Sequence, residues 1–240
     1  MNLLTSISWL EEGPFALYRW GDLVGDIDIF IDGLIYTLGL SLAGLLFAFV
    51  LGTIIGIVSS SRSRVLTLLT RIYVEFFQNT PLLIQIFFVY YGLPLVGIVI
   101  DTYVIGIICI GLYHAAYIAE VIRSGIGSIP KGQMEASLSQ GFSYWEAMWY
   151  IILPQAMRVM LPSLTNQVVN LIKNTSAIAV ISGTDIMFVA NTWSSMNLHY
   201  VPAFAFVAFL YFVLCFPLTQ LSAWLEGKNK KLIKESGELE

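Results

Sequence analysis

Four stretches of this chain carry no Asp, Glu, Lys or Arg: residues 33–61, 76–100, 102–119 and 186–225. A helix needs about 20 mainly apolar residues to cross the hydrocarbon of a bilayer, and an ionised side chain at that depth is costly. A water-soluble domain carries about a quarter charged residues; this chain has 12% charged and 57% hydrophobic residues. Most of its surface is therefore read as facing lipid. The last stretch is too long for one span. It contains "NTWSSMNLHY" (191–200), which is polar and turn-rich, so the span is placed at 201–225. A further apolar run, 159–182, is broken only by Lys173. The reading is an all-α membrane protein with five transmembrane helices. Alternating ten-residue strands, the mark of a membrane barrel, are absent.

The basic residues fix an expected orientation. Arg62, Arg64 and Arg71 follow the first span, Arg123, Lys131 and Arg158 flank the loop between spans three and four, and Lys228, Lys230, Lys231 and Lys234 follow the last. Cytoplasmic loops collect Lys and Arg; only Arg19 falls on the other side and Lys173 within a span, which puts the N-terminus outside and the C-terminus inside. Glu11, Glu12, Asp22, Asp26, Asp28, Asp32, Asp101 and Asp185 fall on the outer side. The organisation expected is an external segment 1–31, a transmembrane domain 32–225 with a cytoplasmic loop over 123–157, and a cytoplasmic tail 226–240. The N-terminus lacks the basic start of a signal peptide. It is either an interfacial segment anchored by Trp9 and Trp20 or a poorly ordered tail.

Enzymatic motifs are missing. No HExxH or GxSxG occurs, and His114 and His199 have no metal-like spacing. "GIGSIPKGQ" (125–133) fails the phosphate-loop pattern because Lys131 precedes its glycine. Cys109 and Cys215 lie inside spans, as small apolar packing residues. No catalytic residue, metal site, cofactor or nucleic-acid partner is expected. The better starting class is a membrane passage or gate.

The loop is the polar exception. Pro130, Lys131 and Gly132 break the chain after span three. Residues 133–140 can form two helical turns, and Gly141 can adopt a positive φ and stop them. Ser143 with Glu146 three residues on is a capping-box pattern. Trp145, Met148, Trp149 and Ile152 then form an apolar stripe, and Pro154 interrupts before span four. Small side chains at Ala136 and Ser137 beside Glu135 suit a docking knob for a cytosolic protein; a plain interfacial linker fits the same pattern.

"EASLSQGFSYWEAMWYIILP" (135–154) resembles the EAA signature of bacterial ABC importer membrane subunits. Glu135, Ala136, Gly141, Ile151, Leu153 and Pro154 match in type and spacing, and Ser137 replaces an alanine. "EFFQNTPLLIQIFFVYYGLP" (75–94), "AAYIAEVIRSGIGSIPKGQMEA" (115–136) and "LPSLTNQVVNLIKNTSAIAVIS" (161–182) resemble the polar amino-acid branch, similar to glutamine, glutamate and histidine permeases. The resemblance covers about residues 30–225. It implies a type I importer fold in a bacterial inner membrane. It also implies a second permease copy or paralogue, an external solute-binding protein, and a cytosolic ATPase dimer that binds the ATP and Mg. The 134–154 loop would dock that ATPase, with Glu135, Ala136, Ser137 and Gly141 as coupling residues.

Polar groups at membrane depth are the candidate substrate pathway. Lys173 falls near the middle of span four, followed by Asn174, Thr175 and Ser176. The lysine could meet a substrate carboxylate; it could equally pair with Glu75 or Glu120, or cap a helix end. Gln85 and His114 are weaker candidates, as are Gln78, Asn79, Thr80 and Tyr117, with interhelical hydrogen bonding as the alternative role. Gly52 and Gly56 form a GxxxG suited to close helix packing, and Pro81 and Pro94 should kink or end span two. Lys173, with no acid in the 174–176 cluster, favours glutamate, aspartate or glutamine over arginine or lysine. A self-sufficient five-span secondary carrier would show two related halves, and an assembly protein would need neither an intramembrane lysine nor a docking loop.

Overall fold

Without water between them, helices in a bilayer gain little from the hydrophobic effect and associate through close packing. The first long helix is built for that. In the computed structural model, which describes residues 13–61 and 63–235 with side chains through Lys228, a short helix α1 (Leu17–Gly25) leads into α2 (Ile27–Ser59). One face of α2 is a line of small residues, Gly33, Thr37, Ser41, Gly44, Ala48, Gly52 and Gly56, all buried. The opposite side shows Leu42, Leu46, Val50 and Ile54, all exposed. The GxxxG is thus the end of a longer stripe.

That stripe lies mainly against α5 (Thr102–Gly127), the most extensive helix pair of the fold. A Cβ on Gly52 would stand 2.8 Å from the Ala115 carbonyl and 2.8 Å from Ile118 Cβ; one on Gly56 would meet Ile122 Cβ at 2.8 Å and the Ala119 carbonyl at 3.0 Å. Gly39 lies against Tyr103 and Gly56 against Ile122, so α2 and α5 run parallel.

The connection between them is bent. α3 (Arg64–Asn79) packs on α5, held by hydrogen bonds from the Tyr73 hydroxyl to the Leu112 carbonyl (2.7 Å) and from Gln78 to the Ala116 carbonyl (3.4 Å). The chain then turns by 101° into α4 (Leu82–Phe87), which continues as a π turn (Phe88–Gly92) and a 3₁₀ turn (Leu93–Val96). Pro81 sits at the break as the residue before α4. It has no N–H to extend α3, and it holds Thr80 in an extended conformation.

After α5, two short helices α6 (Lys131–Ser139) and α7 (Tyr144–Ala147) form the loop. A π turn (Met148–Ile152) joins α7 to α8 (Leu153–Asn174), which ends in a 3₁₀ turn (Thr175–Ile181). α8 runs antiparallel to α5, with Met160 against Gly125 and Gln167 near His114. Next come α9 (Ile186–Asn197) and α10 (Tyr200–Glu235). The Ser222 hydroxyl donates to the Pro162 carbonyl at 2.9 Å, so α10 also runs antiparallel to α8.

Several expectations change here. Among the described residues, α2, α5 and α10 (to Lys228) are each long and apolar enough to cross a membrane, and α3 with 82–96 makes a fourth if the bent pair counts as one. α8 is the fifth element expected, but Gln155, Arg158, Asn166, Gln167, Asn170 and Lys173 make it too polar for the same measure. The "NTWSSMN" segment is helical: Asp185 caps α9, accepting from the Met187 and Phe188 amides, and only Leu198, at φ 56°, and His199 separate it from α10. α1 is clasped to that turn, with Arg19 donating to the Leu198 carbonyl and His199 bonded to Asp22, each at 3.0 Å. Nor does the last helix break at Leu225. Trp9, Glu11, Glu12 and Arg62 lie outside the described residues, as do the side chains of Lys230, Lys231 and Lys234.

Gly52→Ala should lower the thermal midpoint in detergent, because its methyl would meet a backbone carbonyl; overpacking of this kind costs about 1–3 kcal/mol. Gly21→Ala in α1, where a Cβ meets nothing within 4 Å, should leave the midpoint level or raise it. Equal midpoints for wild type and Gly52→Ala would disprove the close approach.

Candidate functional site

The helix directions sort the charges. Arg64, Arg71, Arg123, Lys131, Arg158 and Lys228 gather at one end of the bundle, and Asp22, Asp26, Asp28, Asp101 and Asp185 at the other. The loop helices α6 and α7 lie at the basic end.

Both caps at the α6–α7 junction have full hydrogen bonding. Gly141, at φ 92°, donates to the Leu138 carbonyl (3.1 Å), and Phe142 donates to the Ser137 carbonyl (3.2 Å). This is the two-bond glycine termination of a helix. A Cβ at Gly141 would meet nothing within 4 Å, so the backbone conformation, and not space, requires glycine there. Two residues on, the Ser143 amide donates to the Glu146 carboxylate (2.8 Å) and the Glu146 amide to the Ser143 hydroxyl (3.3 Å). The Ser143 hydroxyl also donates to the Glu146 carboxylate (2.7 Å), and this bond first and the Ser143 amide second hold the Glu146 carboxyl below its ordinary value.

The four expected coupling residues do not share one face. Glu135 and Ala136 are exposed, whereas Ser137 is buried and its hydroxyl donates to the Gln133 carbonyl at 2.6 Å. Ser137 therefore holds α6 together and offers no open surface. Nor is the apolar stripe a regular one. The π turn at 148–152 shifts the register, so Ile152 is buried while Trp145 and Trp149 are about 70% and 69% exposed. The same turn removes the interruption expected at Pro154. Proline lacks the N–H that an α-helix would use, and a π turn absorbs the mismatch. Helix runs unbroken from Tyr144 to Asn174.

Deeper in the bundle, α5 and α8 share a polar seam. His114 is buried; its Nε2 accepts from the Asn174 amide (3.0 Å), and its Nδ1–H donates to Gln167 Oε1 (3.4 Å). His114 and Asn174 are thus brought together, in the interhelical role given as the alternative for His114. Gln167 completes the seam; its position one face along from Asn174 on the same helix was the available signal.

Lys173 neighbours Asn174, whose partner His114 is midway along α5. The lysine sits in the last turn of α8, where the carbonyl ends favour a cation. Its side chain is exposed and lines a cavity of about 300 Å³ with Ser176, Met187, Phe204, Val207 and Tyr211. Thr175 is buried, its hydroxyl donating to the Ile172 carbonyl, so it does not join Lys173 and Ser176 there. Gln85 lies elsewhere: its amide donates to the Thr80 hydroxyl (2.7 Å) and bridges the α3–α4 bend. Glu75 and Glu120 pair with Arg71 and Arg123, not with Lys173.

Residues 32–231 match the family described as the binding-protein-dependent transport system inner membrane component. The chain belongs to this family. It is 41% identical over 209 residues to the probable glutamine ABC transporter permease protein GlnM of Bacillus subtilis (strain 168), covering 87% of this chain and 97% of that one. It is 40% identical to the probable amino-acid ABC transporter permease protein PatM of Vibrio harveyi, over 81% of this chain and 89% of that one. A crystal structure of an amino acid ABC transporter with histidines superposes with a TM-score of 0.81 at 31% identity, covering 87% of this chain and 98% of that one. The chain is thus an amino-acid ABC transporter permease subunit with the type I permease fold. It is a multi-pass membrane protein and a transport component, not a catalytic one.

The Glu146 bonds have a pH consequence. A carboxyl held below its unfolded value contributes stability above that value and loses it as pH falls through the folded one. Amide protection at Ser143 and Glu146, measured by hydrogen exchange and corrected for intrinsic rates, should fall as pH drops below the ordinary carboxylate range. Glu146→Gln should lack that step; a step of equal size in the variant would assign it to another group.

Proposed function

We propose that this chain forms the membrane passage of an ATP-driven importer for polar amino acids, taking glutamine, glutamate or aspartate before arginine or lysine. A cytosolic ATPase dimer docks on the 134–154 loop, a second copy or a similar permease completes the passage, and an external binding protein delivers the cargo. The ATP and Mg belong to that ATPase. Five spans cross a bacterial inner membrane with the N-terminus outside, counting the bent α3–α4 pair and α8.

The exposed Glu135–Ala136 face carries the reading. It stands at the basic end, which is the cytoplasmic end by the distribution of Lys and Arg, and the Gly141 cap and Ser143–Glu146 box that follow it fix the end of α6. ATP binding in the partner would draw two such loops together. The passage would then switch between outward-open and inward-open states, a shift between two arrangements biased by a ligand bound elsewhere. Lys173 and Ser176 line a cavity beside the His114–Asn174 seam, which is midway along α5. A cation and hydroxyl there suit a cargo with a carboxylate, and the glutamine named for the Bacillus relative agrees in class.

Glu135→Lys, co-expressed with its ATPase and binding protein, should reduce uptake at least tenfold while the protein stays in the membrane with an unchanged thermal midpoint. Full uptake by the variant would remove the loop from the mechanism. In competition assays on vesicles holding the complete importer, glutamine and glutamate should compete better than arginine; the reverse order would overturn the substrate assignment.

A further inference from the structure

Only Leu198 and His199 link α9 to α10, and the short helix α1 is fastened to that link. Its apolar hold is slight. Leu23 is the one buried residue of α1, and Leu17, Tyr18 and Val24 are exposed. Hydrogen bonds supply the rest. One terminal nitrogen of Arg19 donates to the Leu198 carbonyl and to His199 Nδ1, each at 3.0 Å, and His199 Nε2 stands 3.0 Å from the Asp22 carboxylate. α1 precedes residues 32–231, which match the family, so the match gives it no role.

These bonds fix where the protons are. A guanidinium donates and cannot accept, so His199 Nδ1 presents its lone pair to Arg19. The ring hydrogen is therefore on Nε2, donated to Asp22, and the imidazole in this clasp is neutral. A proton added at Nδ1 would set one N–H against another and one cation against another at 3.0 Å. Little water reaches the ring to relieve this. Tyr18 and Trp193 pack on it with centroids 5.7 and 5.8 Å away, and the His199 side chain is 11% exposed. The gain at Asp22 is small, because that carboxylate already accepts the Nε2 hydrogen and is 55% exposed, where ion pairs contribute little. The groups facing the ring are Tyr18, Arg19 and Asp22 from α1 and Trp193 from α9, whose indole N–H is donated to Asp26 at 2.8 Å. α10 carries no charged residue before Glu226. The clasped form leaves Nδ1 unprotonated, so protons compete with it and it weakens as pH falls.

The link matters for the passage. Leu198 holds φ 56°, a left-handed conformation that leucine rarely adopts, and its carbonyl is the one Arg19 takes. α9 supplies Met187, and α10 supplies Phe204, Val207 and Tyr211, to the cavity beside Lys173. The link thus sets the angle between two walls of that cavity. We propose that α1 is a pH-sensitive strap on these walls. Neutral His199 keeps it fastened to the α9–α10 link; acid at that face protonates Nδ1, breaks the Arg19–His199 arm and loosens the link. That this face is the outer one, and that the cavity lies on the passage, rests on the importer reading above.

The test follows amide hydrogen exchange in the complete permease–ATPase complex in detergent, corrected for intrinsic rates, between about pH 8 and about pH 5, where an imidazole ordinarily titrates. Protection of the α1 amides in wild type should fall by about fivefold or more in acid. Arg19→Gln, lacking the guanidinium, should be weakly protected across the whole range. His199→Gln, which cannot titrate, should show no step. Level protection in wild type, or a step of equal size in His199→Gln, would overturn the proposal. Protection that rises in acid would show the Asp22 pair tightening the strap, and would overturn it too. Glutamine uptake by proteoliposomes of the complete importer is then compared at the same two outer pH values, with the inner pH held constant. The ratio of acid to neutral uptake should be lower in wild type than in His199→Gln by about twofold or more. Equal ratios beside an exchange step would overturn the strap's control of the passage. Absence of ATP-dependent uptake by wild type at either pH would refute the importer reading itself, while the exchange step would still decide the strap.

Discussion

The closest backbone approach in the bundle, α2 against α5, sets the position of everything else. Because Gly52 and Gly56 have no Cβ, the two helices come near enough for the Ala115 and Ala119 carbonyls to face bare Cα atoms. Dispersion grows steeply as such gaps close, and in lipid it is among the few forces available between apolar helices. α5 then serves as the central post. α3 is tied to its carbonyls, α8 meets its histidine, and the loop helices hang from its end. Move α5 outward by one methyl group and each of these contacts shifts.

Polar residues in this bundle divide by what they satisfy. Gln85 and Thr80 bond at the α3–α4 break, Gln78 binds an α5 carbonyl, and Thr37 accepts from the Ile186 amide at 3.0 Å where α9 begins. These meet the backbone demands of broken helices, which a bilayer interior cannot meet with water. Lys173, Arg71 and Arg123 differ. Arg71 and Arg123 close ion pairs along their own helices with Glu75 and Glu120, and Lys173 is exposed at the end of α8 beside a cavity.

Elements governed by local chemistry were legible from sequence. Gly141, the Ser143–Glu146 box, the break at Pro81 and the GxxxG at Gly52 follow from rules spanning a few residues. Elements governed by registry were not. Ser137 reads as a small open residue because its burial depends on how α6 turns against α7. The π turn has no marker beyond Pro154, and it reverses which side of the stripe is covered. The apolar run past Lys173 carries no sign that α8 gives way to a 3₁₀ turn at Thr175. The "NTWSSMN" segment reads as a turn by composition, yet the Asp185 cap and the burial of Ile186, Ala190 and Trp193 against α10 make it a helix.

The unbroken helix from Tyr144 to Asn174 has a mechanical meaning. At 1.5 Å per residue it is a rod of roughly 45 Å, with the exposed tryptophans near its foot and the His114–Asn174 bond at its head. The π turn accommodates Pro154 without ending the helix, and Pro162 lies within it as well; both are the kinds of position at which long helices bend. The loop at the basic end and the seam at His114 are therefore joined by one continuous element.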